Sequence, residues 1–70
     1  MPKILSPYDQ DTQEYMILFF ENLSEKDSRH YAAVEAKKLG HGGLEYVANL
    51  FGISVKTITR GLEELEKKSS

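Results

Sequence analysis

The sequence predicts an all-α fold, a small four-helix domain containing a helix-turn-helix, on three observations. Apolar residues recur at helical spacing in four successive segments, cap-forming residues and glycines separate those segments, and no pair of alternating runs is present to build a sheet. Seventy residues allow one domain. A chain this short hides only about 60% of the surface its unfolded form exposes, so a thin core and marginal stability are expected. With no cysteine, neither a disulfide nor a thiolate metal site can reinforce it.

Residues 1–10 contain Pro2, Pro7 and little apolar periodicity, which predicts a flexible arm ahead of a helical domain over residues 11–70. Residues 15–20 (Tyr-Met-Ile-Leu-Phe-Phe) suit a buried strand or a helix by length alone. Met16, Phe19, Phe20 and Leu23 follow helical spacing, Asp11 or Thr12 can cap the start, and no second strand-like run offers a partner. A helix over 12–22 is therefore expected.

Ser24 with Asp27 three residues later resembles a capping box, and Gly40 after Lys37 and Lys38 marks a stop, so the second helix is placed at 25–39. Its stripe of Ala32, Ala36 and Leu39 is small enough for another helix to approach closely, with Tyr31 at the edge. Leu44, Val47, Ala48 and Phe51 mark one apolar face of a third helix at 43–51, which Gly52 ends. Ser54 caps a fourth at 54–66, whose inward positions are Val55, Ile58, Leu62 and Leu65. Glu63 with Lys67 and Glu64 with Lys68 are candidate i, i+4 pairs.

Residues 44–63 carry the features of a helix-turn-helix. Ala48 is small where the helices cross, Gly52 can take the left-handed turn conformation, Ile53 plugs the core beneath it, and Ser54 caps the second helix. That leaves Ser54, Lys56, Thr57, Thr59, Arg60 and Glu63 outward, where the N-terminal residues of such a helix meet base edges in a major groove. Arg60 suits a guanine edge, Thr57 and Thr59 a thymine methyl or a phosphate, and Lys56 a phosphate. The DNA-binding residues expected are Ser54, Lys56, Thr57, Thr59 and Arg60.

The net charge of −2 argues against DNA as a whole, but it divides unevenly. Residues 1–23 sum to −3, residues 24–62 to +2 and residues 63–70 to −1, so the helix-turn-helix lies in the basic centre. The glycine run at 40–43 is read as a tight helix joint in preference to a phosphate cradle. His30 and His41 lack a partner at metal-ligand spacing, and the acids and serines sit at helix starts, caps or i, i+4 pairs. No metal, cofactor, small-molecule substrate or catalytic activity is expected. Residues 15–20, flanked by Glu14 and Glu21, are too short for a membrane span, and a cytoplasmic protein is expected.

The stretch RHYAAVEAKKLGHGGLEYVANLFGISVKTITRGLEELE, residues 29–66 and about half the chain, resembles the N-terminal region of Rhodopirellula-type DDE transposases. Its order of Tyr-Ala-Ala-Val-Glu-Ala opening, Leu-Gly-His-Gly-Gly joint, Tyr-Val-Ala and final helix is more specific than a bare helix-turn-helix. Asn49 and Val55 depart from the pattern, standing where a basic residue is common. The resemblance implies a DNA-binding domain that recognises transposon ends, ahead of an RNase-H-like catalytic domain using two aspartates, a glutamate and divalent metal. That catalytic part is not expected within these residues. Two alternatives stand beside it: a free-standing transcriptional regulator with the same DNA geometry, and a helical protein–protein interaction module. The second would join protomers or dock another protein: apolar residues nearly encircle the first helix, so Ile17 or Tyr15 is expected to face a partner chain, and a homodimer would serve the DNA-binding reading as well.

Overall fold

The computed structural model describes residues 7–69, which form four helices and no strand. They are α1 (Gln10–Glu21), α2 (Glu25–Leu39), α3 (Gly43–Phe51) and α4 (Val55–Ser69). The expected arm falls outside the described residues over 1–6. Its last residues enter the fold: Asp9 is extended and its carboxylate accepts the Thr12 N–H at 2.9 Å, so the cap is Asp9 instead of Asp11 or Thr12. The helix therefore starts two residues early, with Asp11 in the first turn where a negative charge suits the exposed N–H groups.

Local chemistry sets the other boundaries. Ser24 accepts the Asp27 N–H at 3.1 Å and Gly40, at φ 74°, closes α2. Gly52, at φ 69° and ψ 33°, takes the left-handed conformation, and the N–H groups of Gly52 and Ile53 both donate to the Ala48 carbonyl. Ser54 then accepts the Thr57 N–H at 3.1 Å, starting α4 after a three-residue turn. That helix runs three residues past Glu66, the end expected for it.

α2 is the element on which the others pack, meeting α1, α3 and α4. The core is Ala32, Ala33 and Ala36 of α2 with Val47 and Ala48 of α3 and Ile58 of α4. Small side chains admit close backbones. A Cβ on Gly61 would lie 2.7 Å from the Arg29 carbonyl oxygen and 3.2 Å from the Ala33 Cβ, and one on Gly43 would strike the Ala36 carbonyl. Val55, expected inward, is 38% exposed, whereas Ile58 is fully buried. The two point about 60° apart around the helix, and Val55 sits at its first turn.

Aromatic rings tie α1 down. Phe20 stacks on Phe51 with centroids 4.2 Å apart, and Phe19 meets Tyr31 edge-on at 5.0 Å. Phe19, expected on the inner face, touches Tyr31 by one edge and is 54% exposed, while Met16 is buried.

Candidate nucleic-acid interface

The outer face of α4 carries the residues of interest. Lys56, Thr57, Thr59, Arg60 and Glu63 line one shallow, open concavity. Lys56 is exposed, Thr57 and Thr59 are half-buried, and the Arg60 side chain is 71% exposed. Ser54 lies beside them, but its hydroxyl is engaged: it accepts the Thr57 N–H and sits 3.0 Å from the Thr57 hydroxyl. The geometry gives Ser54 a capping role and leaves Lys56, Thr59 and Arg60 as the more available polar groups.

Arg60 is positioned by Glu64, to which its Nε donates at 3.3 Å. The Glu64–Lys68 pair expected from i, i+4 spacing lies outside the described side chains; the Glu64 carboxylate also reaches α2. Arg29 donates to both carboxylate oxygens at 3.1 and 3.3 Å, and His30 Nε2 lies 2.8 Å from Oε1. The hydrogen bond from His30, reinforced by Arg29 and Arg60, holds the Glu64 carboxyl down at about 2. Glu64 is thus an anion answered by three basic side chains, and Glu63 is the carboxylate left on the concavity. Only the Arg60–Glu64 arm has a local signal, the i, i+4 spacing; no local pattern announces the rest, because Arg29 and His30 precede Glu64 by 35 and 34 residues.

A second polar cluster joins residues ahead of α1 to α2. The Tyr8 hydroxyl donates to Glu35 at 3.0 Å, Lys38 approaches the other oxygen at 3.6 Å, and Glu35 is only 8% exposed. Burial, with the Glu35 charge, pushes the Tyr8 and Tyr31 hydroxyls up in pKa. The tyrosines therefore remain neutral donors beside an anion.

Gly40 and Gly42 have positive φ and Gly43 packs on Ala36 and Leu39, the arrangement of a tight joint between α2 and α3. Among the described residues no group of three or more His, Cys, Asp or Glu side chains is placed to hold a metal ion, and no helix is long and apolar enough to cross a membrane. No known protein family, curated protein or solved structure matches this chain.

Proposed function

We propose that α3 and α4 form a helix-turn-helix that lays the outer face of α4 in the major groove of double-stranded DNA. The observation that carries this reading is the open concavity shared by Lys56, Thr57, Thr59, Arg60 and Glu63, from the first turn to the middle of a helix that follows a left-handed glycine turn. The Glu64 charge, which would otherwise repel phosphates beside Arg60, is answered from α2. Transposon-end recognition is the role suggested by the resemblance of residues 29–66. A free-standing regulator would use the same face.

Arg60 and Lys56 test the pose, because simple electrostatics would have two cations on one face behave alike. With Arg60 on a guanine through two hydrogen bonds, Arg60→Ala costs about 1–3 kcal/mol on the preferred duplex and relaxes preference at one base pair. With Lys56 on a phosphate, Lys56→Ala weakens all duplexes similarly and lowers the salt slope by about one unit. Competition binding against single-base-pair variants at several salt concentrations separates these outcomes. Binding unchanged by both substitutions removes α4 from the DNA interface.

A further inference from the structure

α1 leaves an apolar stripe in water. Tyr15, Leu18 and Phe19 are 73%, 56% and 54% exposed, and their spacing puts them on one face. The same helix carries Asp11, Glu14 and Glu21 and no basic residue. Laid on its own copy, α1 would bring like charges together, and laid on DNA it would face phosphates. Its chemistry calls for an apolar surface with a basic edge.

That surface exists between α2 and α4. Val34, Leu62 and Leu65 form the floor of an apolar groove, with Lys37 and Lys38 on its α2 lip and Glu66 on its α4 lip. Val34 is 46% exposed, and the Lys38 side chain, although 3.6 Å from Glu35, is 59% exposed. The molecule's own α1 packs on α2 and α3 but not on α4, so it does not fill the groove.

The charge complementarity points to a second copy of this chain, and we propose a two-fold homodimer in which α1 of each protomer lies in the α2–α4 groove of the other. Leu18 and Phe19 cover Val34, Leu62 and Leu65, while Glu14 approaches Lys37. The Glu66 lip sets the orientation by turning the acidic edge of α1 toward α2. Because each protomer carries both the helix and the groove, one two-fold axis uses each surface once per chain and closes the assembly. Lys56 and Arg60 take no part, so the dimer and the DNA reading stand or fall separately.

Sedimentation equilibrium of the full chain from micromolar to millimolar concentration tests this, with helical content followed by circular dichroism. The expected mass rises from one chain to two. Glu14→Lys and Lys37→Glu each weaken the dimer about tenfold or more, and Leu18→Ser abolishes it with the helices intact. An equimolar mixture of the two charge variants restores it, because in the mixed dimer one contact carries both exchanged charges and the other carries neither, so opposite signs meet at each. A single-chain mass throughout, or a dimer indifferent to these substitutions and to mixing, overturns the proposal.

Discussion

Glu64 is the residue on which the α2–α4 pairing and the candidate interface meet. Its carboxyl is held down to about 2 by His30, Arg29 and Arg60, whereas an unhindered one titrates near 4.5. A lowered folded-state pKa stabilises the protein fully above the unfolded value, and the contribution fades as pH falls from about 4.5 through about 2. Thermal melts of the parent and Glu64→Gln should therefore differ most near neutrality and converge toward about pH 2. Parallel melting curves across that window would show that the cluster adds nothing to stability. Gly61 matters for a steric reason. Alanine is favoured over glycine inside a helix by about 1 kcal/mol, yet the new methyl would press on the Arg29 backbone, which cannot swing aside like a side chain. Overpacking costs about 1–3 kcal/mol, so Gly61→Ala should lower stability in urea denaturation despite the better helix former. A gain would mean that α2 and α4 separate more easily than their contact suggests.

At the α3–α4 turn a glycine matters for its backbone conformation and not for close packing. An added Cβ at Gly52 meets nothing within 4 Å, so the strain there is that of a positive φ alone. Gly52→Val should cost about 1–3 kcal/mol in a thermal melt, and an unchanged midpoint would mean that the α3–α4 joint tolerates another path. Such turn chemistry is local, which is why Ser24, Gly40, Gly52 and Ser54 mark boundaries legibly in the sequence. The outward placement of Lys56, Thr59 and Arg60 was legible for a related reason, since helical period alone assigns them away from Ile58. Contacts between distant residues left no such trace. Tyr8 reaches Glu35 across 27 positions, so a segment that reads as an arm contributes a hydrogen bond to α2. Tyr8→Phe should cost about 0.5–1.5 kcal/mol, measured by denaturant midpoint, and no loss would assign the Tyr8 contribution to its ring against Tyr46. Gly61 lay unremarked in a run of good helix formers, although a glycine there is itself a packing signal. In α1 the apolar residues run almost all the way round, so periodicity could not tell that Met16 faces in while Tyr15 and Leu18 face out.

Over the whole molecule, charge divides by element. The described residues extend 43 × 26 × 18 Å, with acids unopposed by any base on α1 and the candidate DNA face on α4, two helices that do not touch. Any partner approaching α4 from solution meets Lys56 and Arg60 with Glu63 among them. At physiological ionic strength the screening length is about 8 Å, so a carboxylate inside the contact acts on phosphates almost unscreened while one on a helix well away acts weakly. Glu63→Gln and Glu14→Gln each raise the net charge by one and would be equivalent if overall charge governed binding. With α4 against the duplex, Glu63→Gln should tighten non-specific binding several-fold in low salt and keep part of that gain near physiological salt. Glu14→Gln should give a smaller gain that disappears as salt is raised. Fluorescence anisotropy with one random duplex, titrated at several salt concentrations in a Leu18→Ser background that keeps the chain single, measures both. Equal gains with equal salt dependence would show that the duplex senses only the total charge, and would move the contact surface away from the concavity of α4.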